Sequence, residues 1–252
     1  MAKISICIPT YEMHGKGVIF LKQSFDIFLK QSFTDFDVVI SDHSKDTKVQ
    51  ELCETYQKQL QIHYYKNEQD RGNSSANINN AIQKATGELI KILFQDDFLY
   101  DEQSLEHIIK YFDLEKDHWL VTACTHTIDG ETFFKNHYPT YNNHIYLGKN
   151  TISSPSVLTI KNQNPLLFDK KLVWLMDCDY YKRYYDSFGK PKILSNISVV
   201  NRIGTHQITN TLATAKLQYI EYCYMARKYE KGLRVILHLI KGKIIYTLKS
   251  II

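Results

Sequence analysis

The chain is poor in the residues that punctuate or staple a fold: its 252 residues include only 5 Pro, 10 Gly and 5 Cys. With so little proline and glycine, and with 23% charged residues, collagen-like and disordered classes are excluded. The cysteines (Cys7, Cys53, Cys124, Cys178 and Cys223) are dispersed and form no Cys-x-x-Cys pair. An odd, scattered set fits isolated buried thiols rather than a disulfide framework or a zinc site. No apolar stretch reaches the roughly 20 residues needed to span a bilayer. The first apolar run, Ile4 to Ile8, stops at Pro9 and is too short for the core of a secretory signal. The expected location is therefore cytoplasmic. A formal net charge of +4 is too small to imply a nucleic-acid partner. Internal repeats and low-complexity runs are absent.

What is plentiful is apolar and aromatic. Hydrophobic residues make up 44% of the chain, with 18 Tyr and 12 Phe, enough for one large α/β domain with a buried core. The first hundred residues alternate between two periodicities. Short apolar runs at Ile4–Ile8, Phe36–Ile40, Gln61–Tyr65 and Glu88–Phe94 read as strands. Between them, Val18–Gln31, Thr47–Leu60 and Asn73–Ala85 carry helical spacing. Strands separated by helices of this length predict βαβ units and a mostly parallel sheet. Ligands of such sheets bind beyond the carboxyl ends of the strands. That rule selects Pro9-Thr10-Tyr11-Glu12, Ser41-Asp42-His43-Ser44 and Gln95-Asp96-Asp97. Further on, Gln103–Leu114 and Met176–Ser187 read as helices, and Trp119–Thr125 and Ile197–Ile203 as strands. Residues 128–151 read as loops and short strands.

Adjacent carboxylates at a strand end repel unless a cation lies between them, and oxygen-only ligands suit Mg²⁺ or Mn²⁺ bridged to a diphosphate. The plainer alternative is that Asp96 or Asp97 caps the next turn. In order and spacing, three segments resemble glycosyltransferase family 2, the inverting enzymes of GT-A fold. They are Ile6-Cys7-Ile8-Pro9-Thr10-Tyr11, Val38-Val39-Ile40-Ser41-Asp42-His43-Ser44-Lys45-Asp46 and Phe94-Gln95-Asp96-Asp97. Ser41 and His43 depart from the family's Asp-Asp-Gly-Ser pattern, and Phe94 stands where a longer acidic motif begins.

The resemblance implies a GT-A domain over residues 1–212, with a mostly parallel sheet flanked by helices. It implies a nucleotide-sugar donor, most simply UDP-linked, held by Pro9, Thr10, Tyr11, Glu12, Asp42, Asn73 and Asp96. Tyr11 would pack on the base, Asp42 would accept from the uracil ring N–H, and Asp96 would sit near the ribose. Ser74 and Asn77 fall in the same nucleotide-facing segment as Asn73, with a plain helix-face role as the alternative for Asn77. Asp97, with Asp96 and His206, would hold Mn²⁺ or Mg²⁺; which aspartate is the main ligand stays open. Trp174-Leu175-Met176-Asp177-Cys178-Asp179 resembles the family's acidic segment that supplies the base. Asp177 matches the base position, and Met176 replaces the preceding Glu. Asp179 is the other candidate, about 200° further around a helix; a simple helix cap is the bland alternative. Ser153-Ser154-Pro155-Ser156 forms either an acceptor-side floor or a plain turn.

The expected activity is metal-dependent inverting transfer of a sugar, hexosyltransferase-type, to a hydroxyl of a glycan or lipid-linked saccharide. By family analogy the acceptor belongs to bacterial surface-polysaccharide synthesis (lipopolysaccharide or capsule). Two rivals are a sugar-1-phosphate nucleotidyltransferase and a non-catalytic nucleotide- or glycan-binding module. The first needs a Gly-rich loop after the first strand, where Pro9-Thr10-Tyr11-Glu12 stands instead. Residues 213–252 read as a basic helical extension. From Lys216 on, the chain carries eight Lys or Arg against Glu221 and Glu230. Leu233, Ile236, Leu237, Ile240, Ile244, Leu248 and Ile251 share one helical face. Such a face either lies peripherally on an anionic inner membrane surface or packs on the core; Gly242 weakens a single continuous helix.

Overall fold

The computed structural model describes residues 2–204 and 213–249. The first half is β1 (Ile4–Thr10), α1 (Gly17–Phe28), β2 (Phe36–Asp42), α2 (Lys48–Tyr56), β3 (Ile62–Lys66), α3 (Ser74–Lys84), β4 (Leu89–Ile92) and β5 (Phe98–Leu99). α4 (Ser104–Tyr111), β6 (Trp119–Thr127), β7 (Phe133–His137), β8 (Leu158–Lys161), α5 (Met176–Phe188) and β9 (Lys192–Arg202) follow. The chain closes with α6 (Ala215–Tyr229) and α7 (Leu233–Lys249).

A nine-stranded sheet runs β3-β2-β1-β4-β8-β6-β9-β5, with β7 added on β6. The part that the sequence pattern marks as βαβ is wholly parallel: β1 pairs with β2 and β4, and β2 with β3. Every residue of β1, β2 and β4 is buried, which is why these strands read as predominantly apolar runs without a polar face. Beyond β4 the sheet turns mixed. β8 is antiparallel to both β4 and β6, β6 is parallel to β9, and β5 is antiparallel to β9.

β1 continues through Pro9 and Thr10, residues that close it in the sequence reading. Its pairing with β4 ends at Cys7, whereas its pairing with β2 runs on to Thr10. The Cys7 carbonyl accepts from Leu93 on the β4 side, so two residues later the Pro9 nitrogen faces the side that β4 has vacated. A proline there costs no ladder bond. β9 begins at Lys192, earlier than the apolar run at Ile197, because Lys192–Leu194 pair with Leu120–Thr122 across a register shift.

The aromatic load fills the second half of the core. Trp119, Tyr180, Tyr181 and Tyr184 are fully buried, and Tyr180 stacks on Phe168 at 3.8 Å. The five cysteines are buried free thiols. The C-terminal extension is a helical hairpin, and its break falls at Gly232 (φ +58°) rather than at Gly242. Gly242 lies inside α7 at the crossing with α6, where a Cβ would stand 2.9 Å from Cδ1 of Tyr222. Glycine is therefore what lets the two helices approach. Among the described residues, no helix is long and apolar enough to cross a membrane.

Candidate active site

The ends of β1 and β2 lie side by side, with Thr10 opposite Asp42. Asp42 is fully buried, and its carboxylate is saturated by the protein. Oδ1 accepts from Thr10 Oγ1 at 3.2 Å and from the Ser44 N–H at 2.9 Å. Oδ2 accepts from Tyr64 Oη at 2.7 Å and from Lys66 Nζ at 3.3 Å. A carboxylate offers about four acceptor positions, so a base N–H reaches Asp42 only by displacing Tyr64 or Lys66.

Pro9 is buried, Glu12 half-buried, and Tyr11 is 40% exposed, its ring free to meet a ligand. The Tyr11 N–H donates to Gln95 Oε1 at 2.9 Å, and Gln95 Nε2 donates to the Gly17 carbonyl at 2.9 Å. Gln95 thus ties the loop after β1 to the acidic motif. A Cβ at Gly17 would sit 2.2 Å from the Tyr11 carbonyl oxygen, so only glycine fits. The Glu12 carbonyl accepts from the Gly15 and Gly17 N–H groups.

Asn73 is the N-cap of α3, accepting from the Ala76 N–H at 2.9 Å while donating to the Lys170 carbonyl. Asn77 is buried and joins Ser41, Asn67 and the Thr10 carbonyl. Ser74 and Ser75 point their hydroxyls at the Met176 sulfur. His43 donates from Nε2 to the Gln69 carbonyl if Nδ1 accepts, as the Gly72 N–H requires. Burial pulls its pKa down, in keeping with that neutral ring.

Asp96 and Asp97 follow β4, Asp96 half-buried and Asp97 buried. Asp97 Oδ2 accepts from Asn201 Nδ2 at 2.8 Å and Ser154 Oγ at 3.1 Å, and Oδ1 accepts from the Arg202 N–H at 2.9 Å. Even so, burial and then the neighbouring Asp96 charge push its pKa up to about 7. Behind the pair, Lys91 is wholly buried, donating to the Ser156 carbonyl and, at 3.4 Å, to the Leu158 carbonyl. Burial lowers its pKa to about 7, against the pull of Asp97.

Among the described residues, no group of three or more His, Cys, Asp or Glu side chains could hold a metal alone. The carboxylates still fit a hard divalent ion. Asp97 accepts from the Asn201 amide, the Ser154 hydroxyl and the Arg202 N–H, none of them a cationic group, and burial, then the neighbouring Asp96 charge, raises its pKa. Mg²⁺-type sites commonly use one or two carboxylates and complete their shell with substrate phosphates and water. His206 lies outside the described residues.

Asp177 opens α5, half-buried, with its pKa raised to about 6 by burial. Its Oδ2 accepts from Asn150 Nδ2 at 2.6 Å and its Oδ1 from the Cys178 N–H at 2.6 Å. Asn150 also holds Ser153, accepting from its N–H at 3.0 Å and donating to its carbonyl at 2.8 Å. This grip keeps Ser153 at φ +125°, a value that disfavours a side chain. Ser153 Oγ in turn donates to Asn201 Oδ1 at 3.3 Å, and Asn201 donates to Asp97. A continuous hydrogen-bonded chain, Asp177–Asn150–Ser153–Asn201–Asp97, therefore joins the two acidic centres, although they are 80 residues apart in sequence. Asp179 is fully buried and engaged elsewhere, with Arg183 at 2.8 Å, Lys228 at 2.7 Å and Tyr229 at 2.6 Å.

The sequence matches the profile of glycosyl transferase family 2 over residues 5–180, more than half of the chain. The chain belongs to glycosyl transferase family 2. Among curated proteins, a Campylobacter jejuni GalNAc(5)-diNAcBac-PP-undecaprenol beta-1,3-glucosyltransferase is 26% identical over 100 residues. That segment is 39% of this chain and 31% of the relative, so the match spans about a third of that protein. Staphylococcus aureus TarS in complex with UDP-GlcNAc superposes with a TM-score of 0.66 at 17% identity, covering 95% of this chain and 71% of the other. The Pyrobaculum calidifontis mannosyltransferase PcManGT, in complex with GDP-Man and Mn²⁺, gives a TM-score of 0.62 at 14% identity, covering 97% and 70%. Identities this low establish the fold alone: the expected GT-A architecture, a curled central sheet flanked by helices.

In this family 2 glycosyltransferase the site contains more than motif reading finds. Gln95, Asn150, Asn201, Arg202 and Lys91 hold the acidic residues and the loops between them. Gln95 sits inside the acidic motif and was within reach of the sequence. Asn150 and Asn201 carry no local signal, because each matters through partners 27 and 104 residues away.

Proposed function

We propose that this enzyme moves a sugar from a nucleotide-linked donor, most simply UDP-linked, to a hydroxyl of a lipid-linked saccharide, with inversion. The supporting observation is the hydrogen-bonded chain from Asp97 to Asp177, which gives a diphosphate-side carboxylate and an acceptor-side base one shared scaffold. In-line displacement needs a base on the acceptor hydroxyl and positive charge on the departing diphosphate.

Asp177 is the proposed base. Its pKa near 6 leaves it ionised at neutral pH, yet basic enough to take a proton as the hydroxyl attacks the anomeric carbon. Asp97 and Asp96 would hold Mn²⁺ or Mg²⁺, which supplies charge to the leaving diphosphate when bound. The exposed Tyr11 ring is the proposed platform for the base of the nucleotide, with Asp42 holding the pocket floor and Asn73 the start of α3. Ser153 and Ser154, bridging Asp97 and Asn150, form the proposed acceptor-side floor.

The lipid-linked acceptor is suggested by the undecaprenol-linked substrate for which the C. jejuni relative is named. It agrees with α7. Leu233, Ile236, Leu237, Ile240 and Ile244 are each between 53% and 70% exposed and form one stripe. We assign that stripe to peripheral contact with the inner membrane surface.

Asp177→Asn tests the assignment of the base. Transfer should fall by about 100-fold or more, while UDP affinity, measured by titration with Mn²⁺ present, stays within about twofold. Loss of UDP binding in that variant would show that Asp177 is not on the acceptor side.

A further inference from the structure

Two cavities flank α7 and share the walls Leu147, Tyr222 and Ile245. The larger, about 350 Å³, is cationic, lined by Lys149 and Lys241. The smaller, about 160 Å³, is aromatic, backed by Trp174, Tyr219 and Tyr246. Lys149 and Lys241 are exposed, and among the described residues neither has an ion-pair partner. Glu230, the acid of the α6–α7 turn, is committed to Tyr146 and His238.

The position of these cavities is as telling as their chemistry. Lys149 precedes Asn150, which is bonded to Asp177, and Trp174 lies three residues before that base. On the other side, Lys241 borders the bare apolar stripe of α7, about 100° from Ile240 along the helix. The paired space therefore lies between the proposed base and the face assigned to the membrane. One compartment is cationic and the other greasy, which describes a complement to an anionic amphiphile. A second copy of this chain fits poorly, because residues 231–249 hold no acidic side chain and would set lysine against lysine.

We infer that this double cavity is the docking site for the diphosphate and first isoprene units of an isoprenyl-diphosphate-linked acceptor. Lys149 and Lys241 take the diphosphate, the Trp174–Tyr219–Tyr246 compartment takes the apolar chain, and the saccharide extends past Asn150 to Asp177. The inference rests on the lipid-linked acceptor proposed above and adds the site that reads the linkage.

Binding of farnesyl diphosphate and of farnesol, below their aggregation limits, tests it without requiring turnover. The wild type should bind the diphosphate at least tenfold more tightly than the alcohol. Lys149→Gln/Lys241→Gln should lose at least tenfold for the diphosphate and keep its affinity for farnesol and UDP. Lys149→Arg/Lys241→Arg should retain the wild-type preference. Equal binding of the two probes by the wild type, or an unaltered preference in the glutamine variant, overturns the site. A protein that binds farnesyl diphosphate as expected but fails to bind UDP would instead overturn the transferase reading and leave the site standing.

Discussion

Asn150 is the residue on which the proposed acceptor side of the site turns, and its removal has a calculable effect. Its amide donates to Asp177 Oδ2 at 2.6 Å, a bond that lowers the Asp177 pKa against the larger upward effect of burial. A hydrogen bond to a charged group contributes about 1.5–3 kcal/mol. Asn150 is itself exposed, so water replaces part of the interaction, and the lower end applies. A loss of about 1.4 kcal/mol from the ionised form raises a pKa by about one unit. Asn150→Ala should therefore move Asp177 from about 6 to roughly 7. Because a general base works only when deprotonated, the acid limb of kcat/KM should shift upward by about one pH unit. Activity should be reduced most at pH 6 and recover substantially by pH 9. The assay is a pH series of kcat/KM for the acceptor at saturating donor, wild type against variant. An acid limb that stays in place, whether activity is unchanged or falls equally at every pH, would refute the assignment of Asp177 as a titrating base tuned by Asn150.

Three further outcomes follow from the same geometry. Asp97→Asn should abolish the extra thermal stabilisation that Mn²⁺ adds to UDP, leaving any metal-free effect of UDP in place; a thermal-shift titration with and without Mn²⁺ reads this directly. Glu221 is buried and accepts the N–H groups of Val173, Trp174 and Leu175 just before α5. Glu221→Ala strands three donors at about 1 kcal/mol or more each, so the melting temperature should fall by about 6–12 °C; an unchanged melting temperature would refute this capping role. Ile236→Asp/Ile240→Asp/Ile244→Asp should leave the melting temperature nearly unchanged, because these side chains are bare. Flotation with anionic vesicles should drop by at least tenfold, and equal flotation would exclude the stripe as a membrane contact.

The parallel half of the fold was legible because burial on both faces leaves its signature in each strand separately: β1, β2 and β4 are rich in Ile, Val and Leu, with Ser5, Asp37 and Lys91 as buried polar exceptions. The ends of those strands then named Thr10, Asp42, Asp96 and Asp97 without reference to distant residues. The mixed half was less readable. β5 is two residues long, and the first part of β9 contains Lys192 and Asn196, so neither carries a periodic pattern. The departure at Met176 is explained only in three dimensions, where its sulfur receives Ser74 and Ser75 across 101 residues or more. Gly242 shows how one local signal has two readings. In the sequence it weakens a helix, and in the structure it permits a close helix crossing, while the break falls at Gly232.

The two acidic centres of the proposed nucleotide side differ in a way that bears on their roles. Asp42 has a full set of donors, two on each oxygen, including a lysine. A carboxylate so satisfied orders the ends of β1, β2 and β3 and has little reason to recruit a cation. Asp97 accepts from Asn201, Ser154 and the Arg202 N–H, none of them a cationic side chain, and is pushed up to about 7 by burial beside Asp96. Of the positive charges near Asp97, Lys91 is driven down to about 7 by burial. An arginine keeps its charge at neutral pH, but the Arg202 guanidinium stands over the Phe20 ring, 4.4 Å from its centroid, and it is the Arg202 backbone N–H that donates to Asp97. Buried negative charge with weak compensation favours whichever positive partner arrives with the substrate. That imbalance, more than the adjacency of two aspartates, is what supports the proposed divalent cation at Asp97 and the proposed scaffold role of Asp42.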